Sequence, residues 1–447
     1  TLGASGDTVT LASGASQSGF GRTGTVDWQT SSIKTATFTA ANGEGYFANT
    51  SGGAFTMNLP AGTAGNIVSV VDYTNTFQTN NLTITPNGSE KLGGNNASFI
   101  ASTEGQSLTF VYVDDTEGWK NIQDSTTNAV GNAFLVATGG TVTTCGNCKI
   151  HTFTGPGTFT VAQISSACAA HNTVSHMVVA GGGGGASGYQ TGGGGAGGFR
   201  EVKTPVTPYT ASPLDGYPSS PNRVTVTATA YPITVGAGGA AGPSSPSSGS
   251  RGAAGVNSTF STVTSAGGGP AGAYNGSETD VRPGGNGGSG GGAGRMSGPH
   301  SGGTGNTPPV SPAQGKDGGD TANPYSHPYN GGGGGGATVA GSDVTGSTRG
   351  SGGNGATTSI TGTPTAYAGG GGGGGYTNPA PSSTAADSGA AGTGGGGAGG
   401  YGGPGCASSN GVAGTANTGG GGGGSSYETT LGGAGGSGIV VIRYKYK

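Results

Sequence analysis

The chain has 447 residues, a formal net charge of −3 and only 8% charged residues, against about 25% in ordinary proteins. With no Lys/Arg cluster beyond the tail residues Arg443, Lys445 and Lys447, a nucleic-acid-binding surface is excluded, and no run of about 18 apolar residues is present to span a membrane. Glycine accounts for 107 residues, and 84 of them follow residue 176, so composition changes sharply there.

Residues 1–35 read as an N-terminal connector. Residues 36–129 read as a β-rich fibre module. Phe55, Met57 and Leu59 alternate with Thr56 and Asn58, and Leu108, Phe110 and Tyr112 alternate with Thr109 and Val111. Period-two alternation marks half-buried strands. Further strands are expected at 35–40, 67–73 and 81–85, separated by turn pairs such as Asn42-Gly43 and Asn87-Gly88. Trp28 and Trp119 bracket this region as core or subunit-contact residues. No segment carries sustained helical periodicity.

Residues 130–176 form a small β-hairpin module, with 141–144 and 149–154 flanking Cys145-Gly-Asn-Cys148. Residues 177–447 are the glycine-rich domain. Uninterrupted runs occupy 181–185, 192–195, 331–336, 369–375, 394–397 and 419–424, and the chain closes on the apolar strand Ile439-Val440-Val441-Ile442. Collagen is excluded, because it needs filled positions between its glycines, whereas 369–375 is glycine throughout. A flexible linker does not need so many runs bracketed by good strands. The ordered alternative is a bundle of packed polyglycine (polyproline II-type) helices. Such a helix has about three residues per turn and no internal hydrogen bonds, so neighbours must pair its backbone. A glycine-rich β-sheet and partial disorder are the other readings of the same runs. The fold class is thus mostly β.

Four blocks occur in order: His176-Met-Val-Val-Ala-Gly-Gly-Gly-Gly-Gly185, Gly-Gly-Ala-Gly-Gly-Phe-Arg-Glu at 194–201, Tyr-Pro-Ile-Thr-Val-Gly-Ala-Gly-Gly at 231–239, and Gly-Gly-Ser-Gly-Ile-Val-Val-Ile-Arg-Tyr at 435–444. Together they resemble the glycine-rich domain of bacteriophage tail-fibre and virion structural proteins, and are similar to the tip adhesins of T-even-like phages. The segments around Gly45-Tyr46-Phe47, Phe110–Asp114 and Lys149–Val161 resemble the β-rich modules of such fibres. The resemblance implies a homotrimer, other fibre or virion proteins bound through the N-terminal part, and a distal tip that touches a host glycan or outer-membrane protein. It implies an extracellular setting, on a virion or as a free fibre, and no enzymatic activity.

Candidate chemistry is sparse. Cys145-x2-Cys148 followed by Cys168-x2-His171 has zinc-site spacing. The same cysteines, with Cys406, also suit a disulfide or free thiols. The GxGxxG strings open no βαβ unit, and Gly315-Lys316 is followed by Asp317, so no cofactor is expected. Tyr325, His327 and Tyr329 precede a six-glycine run, and Tyr376 and Asn378 follow a seven-glycine run. Amphipathic rings and amides at loop tips suit receptor contact; equally, these tyrosines could cap the ends of the glycine runs. The competing reading is a structural filament polymerising end to end, with the strand at 439–446 exposed and pairing with a neighbouring subunit. Ice binding through threonine pairs such as Thr225 and Thr229 is a third reading.

Overall fold

The structure is a computed structural model that describes residues 26–125, 134–165, 168–244, 249–274, 281–295, 299–322, 329–345, 348–376, 387–405, 407–427 and 429–447. It is mostly β, and the helix among the described residues is confined to short 3-10 turns such as Ala169–Asn172 and Ser220–Asn222. The chain divides into two compact units, 1–131 and 132–447.

The first unit is a short β-solenoid. The chain alternates between two sheets: Asp27–Trp28, Glu44–Ala48 and Ile67–Asp72 pair in parallel in one, and Phe38–Thr39, Phe55–Asn58 and Leu82–Thr85 pair in parallel in the other. It then reverses, and Phe99–Ala101 and Ser107–Tyr112 add antiparallel strands to the two sheets. Period-two alternation sends Met57, Val68, Val70, Leu82, Ile84 and Phe110 into the space between the sheets, where each is fully buried. Turn chemistry closes the coils. Gly43 takes φ 84°, which glycine tolerates, and Asn42 Oδ1 accepts the Ile67 N–H at 2.9 Å. The buried Asp72 carboxylate accepts N–H groups from Thr76, Phe77 and Gly105. Trp119 is core, its indole N–H donating to Glu90 at 3.2 Å. Trp28 is exposed and lies 5.3 Å from the Phe47 ring.

The second unit begins with a sandwich. One sheet runs Thr141–Cys145, Cys148–Phe153, Ile439–Lys445, Thr173–Val179, Phe199–Val202. The other runs Val136–Thr138, Gly157–Gln163, Ala230–Thr234, Ser258–Phe260, Val263–Ser265. Phe159, Phe260, Val178, Val440, Ile442 and Tyr444 belong to one buried cluster. The hairpin strands at 141–163 thus share both sheets with strands of the glycine-rich segment. The expectation of a free strand at 439–446 is corrected here. Ile439–Lys445 is a central strand with partners on both sides, and its alternate residues bury in two different clusters, Val440 and Ile442 in one and Ile439 and Val441 in the other. A strand apolar on both faces is stable only inside a sheet covered on both faces.

Beyond the sandwich, the glycine runs carry almost no regular strand or helix, Gly375 in the two-residue strand Gly375–Tyr376 being the exception, and their hydrogen bonds join one run to another. Successive donors rotate among three neighbours. Gly181, Gly184 and Ser187 donate to Val256, Ala253 and Ser250; Gly182 and Gly185 donate to Gly436 and Gly433; Ala180 and Gly183 donate to Gly198 and Gly195. The carbonyls of the same run accept from three further segments: Gly268 and Ala271, Gly239 and Gly242, Gly422 and Ser425. The pattern repeats every three residues, and six neighbours surround the run. A Cβ at Gly183 would overlap the carbonyl of Gly269, so the side chain is excluded by the approach of the next backbone. Alanine enters only at chosen places such as Ala186, Ala271 and Ala273, which pack together.

Candidate functional site

The direction of each run follows from its hydrogen bonds. Run 180–187 leads outward from the sandwich strand Thr173–Val179, and 191–198 returns antiparallel beside it into Phe199–Val202. Residues 268–271 and 422–425 advance in step with 181–186. Gly371 and Gly374 donate to Gly194 and Thr191, so 369–375 also runs outward, whereas Gly193 and Ala196 donate to Gly332 and Gly335 in step, so 331–336 runs inward. Gly292 donates to Gly193 and Ser289 to Ala196, which sends 289–294 outward. The residues after 187, 273, 294, 375 and 426 and those before 331 therefore meet at the end opposite the sandwich.

What stands there is one row of side chains. The Arg295 guanidinium lies 3.8 Å from the Tyr329 ring centroid. Tyr329 stacks on Tyr376 at 5.9 Å and 21°, and Tyr376 on Tyr427 at 5.7 Å and 23°. Tyr427 meets Tyr189 edge-on at 5.4 Å, and Tyr189 reaches Tyr274 at 5.6 Å. Such ring pairs contribute about 0.5–1.5 kcal/mol each beyond burial. Arg295 is buried, and burial pulls its guanidinium down to about 10, still cationic at neutral pH; its place over the ring is a cation–π contact.

Of the residues singled out from sequence, Tyr329 and Tyr376 are brought together in this row, and both faces of the Tyr376 ring have a ring neighbour. Tyr325, His327 and Asn378 lie outside the described residues. Arg295, Tyr427, Tyr189 and Tyr274 were not anticipated. The available signal was positional: each is the first large side chain after an outward run.

The cysteine–histidine quartet sits elsewhere. Cys145 and Cys148 are the paired residues that close the hairpin. Cys148 is buried, Cys168 is exposed, and all three described cysteines are free thiols; Cys406 lies outside the described residues. His171 stacks on Phe134 at 5.5 Å. Among the described residues no group of three or more His, Cys, Asp or Glu could hold a metal ion.

A second cluster of titratable groups is internal. The Glu201 carboxylate accepts the Ser212 N–H at 2.8 Å and the Thr358 hydroxyl; burial pushes its carboxyl up, against these hydrogen bonds. His176, fully buried, is pulled down to about 4 by burial. The cavity between them, about 10 Å3, has room for about one water. No helix among the described residues is long and apolar enough to cross a membrane.

A family model described as a glycine-rich domain matches residues 152–445, the stretch that holds the whole lattice of runs and all of the sandwich but Val136–Thr138, Thr141–Cys145 and the first part of Cys148–Phe153. No curated protein matches the chain. On the extent of that match, this chain belongs to the glycine-rich domain family.

Proposed function

We propose that the chain is an adhesive fibre subunit of the phage tail-fibre type, a homotrimer whose glycine-rich domain presents loops to a host surface. The glycine runs are read as a bundle of polyproline II-type helices. The three-residue rotation of hydrogen bonds, with six neighbours per run, supports this reading, since such helices have about three residues per turn and no internal bonds. The observation that carries the function is the convergence of the run ends. Six runs deliver Arg295, Tyr329, Tyr376, Tyr427, Tyr189 and Tyr274 to one end, where they form one packed row. Rigid scaffolds that carry sequence-variable loops are the usual way to build recognition surfaces. The occupant of the tip is a glycan or outer-membrane protein of a host cell, and the setting is extracellular. The exposed Trp28 and its neighbours Phe47 and Tyr73 on the outer face of the solenoid support assembly into a trimer.

The test uses the full chain, fluorescently labelled, on a panel of bacterial strains read by flow cytometry. Binding to some strains is expected, with loss when loops 323–328 and 377–386 are replaced by Gly-Ser segments. Binding to no strain, or binding indifferent to both replacements, sinks the adhesive reading. Sedimentation equilibrium gives the order of the oligomer, and a monomer or open polymer removes the trimer.

A further inference from the structure

On the flank of the lattice, close to the loop-bearing end, an open groove of about 420 Å3 runs between segments 349–351, 388–390, 398–401 and 409–412. That volume falls within the range of small-molecule sites, about 300–1,000 Å3. Its walls are held by the lattice: Gly373 donates to Gly350, Gly389 to Gly373, Gly399 to Gly389, and Val412 to Ala398. The shape is thus preorganised by backbone.

The Arg349 side chain is exposed, its guanidinium has no hydrogen-bond or ion-pair partner among the described residues, and it is the single charged side chain of the lining. Tyr401 is half-buried, and its ring and hydroxyl have no partner among the described residues. Asn410 accepts the Leu431 N–H through Oδ1 at 2.9 Å, which leaves its amide N–H groups to donate. The backbone N–H groups of Ala390 and Ala398, both in the lining, also have no acceptor among the described residues. The groove therefore offers one cation, one amphipathic ring and an excess of donors, with no carboxylate among the described residues that line it.

We propose that this groove binds a short acidic saccharide. The Arg349 guanidinium pairs with the sugar carboxylate, a charge-assisted contact. The Tyr401 ring lies against the C–H face of a pyranose, and Asn410 with the free N–H groups donates to ring hydroxyls. A free anion would leave the ring unused, and a neutral sugar would leave Arg349 unused. The proposal rests on the adhesive reading for its biological setting and adds to it a ligand class and a site on the flank of the lattice.

The probes are trigalacturonate and its methyl ester, which keeps the shape and removes the charge, titrated into the full chain by calorimetry. The acid is expected to bind at least about tenfold more tightly than the ester, with the difference shrinking as salt rises. Arg349→Gln should bring the acid down to the ester's affinity and leave the ester unchanged, which also shows the variant folded. Tyr401→Leu should weaken both. No saturable binding of trigalacturonate, or equal binding by wild type and Arg349→Gln, overturns the groove. Loss of cell adhesion on loop replacement with trigalacturonate unbound refutes the groove alone. Trigalacturonate binding through Arg349 with adhesion to no strain refutes the adhesive reading alone.

Discussion

The two halves of this molecule solve the same problem with opposite materials. In the solenoid, side chains close the structure: Met57, Leu82 and Ile84 fill the space between two sheets and are fully buried. In the glycine lattice, backbone closes it. Gly183 is surrounded by other backbones, donates to Gly195 and accepts from Gly422. Burial of apolar area drives the first at roughly 25 cal/mol per Å2. The second draws on satisfied peptide groups, each worth about 1 kcal/mol net, against the extra entropy of ordering glycine. One region is weakened by removing atoms, the other by adding them.

The largest expected effect is an addition. Gly183→Val puts a branched side chain where even a Cβ overlaps the Gly269 carbonyl. Overpacking against backbone that is itself hydrogen-bonded should destabilise the second unit by about 4 kcal/mol or more. A thermal melt that shows the second unit unfolding at its wild-type temperature would mean that the runs are not packed backbone to backbone. Next comes the complementary deletion. Met57→Ala in the solenoid should cost about 3–4 kcal/mol through the cavity it leaves. Calorimetry should assign that loss to the first unit alone; a matching loss in the second would break the comparison.

How much of this was legible depended on which material carries the information. The solenoid strands were plain: the alternation at 55–59 and 108–112 returns as Phe55–Asn58 and Ser107–Tyr112. Side-chain period is written directly in the residues. Which strand pairs with which was not. Ile439–Lys445 lies between Cys148–Phe153 and Thr173–Val179, a pairing closed across some 290 residues that no local pattern encodes. In the lattice, glycine is silent about direction. Tyr329 and Tyr376 could be singled out beside long runs, yet Arg295, Tyr427, Tyr189 and Tyr274 join them only once the alternation of outward and inward runs is known.

Acid should separate the two units by a smaller margin. All five histidines fall in the second unit. Burial is the leading cause that lowers His151, His171, His176 and His300, and it takes His176 down to about 4. A folded-state value below the unfolded one, about 6.5, means that the unfolded chain takes up protons that the folded chain resists. The stability is complete above pH 6.5 and is lost as pH falls from there through 4, by about 3 kcal/mol for His176 at the lower end. Melts at pH 7 and pH 5 should show the second transition moving down and the first nearly still. A first transition that falls equally would place the acid sensitivity elsewhere.

The smallest effect is the most specific to a backbone-built fold. A run at the surface of the lattice has neighbours on one side only, so its outward N–H groups need another acceptor. Segment 302–305 shows the solution. Gly303 donates inward to Gly291, while Gly302 and Gly305 donate to Asp320 Oδ1 and Asp317 Oδ1, each at 2.7 Å, and Thr304 donates to Asn286 Oδ1 at 2.8 Å. Asp317 and Asp320 stand three residues apart, as do the glycines they serve, which matches the three-residue repeat of the runs. Asp320→Ala should therefore cost only about 1 kcal/mol, near the limit of a melt. It should, however, speed amide exchange at Gly302 while leaving Gly303 protected, and Asp320→Asn, which keeps an acceptor oxygen, should restore the slow exchange. If exchange at Gly302 is the same in all three proteins, the carboxylate is not closing that edge, and the surface runs are held by their inward bonds alone.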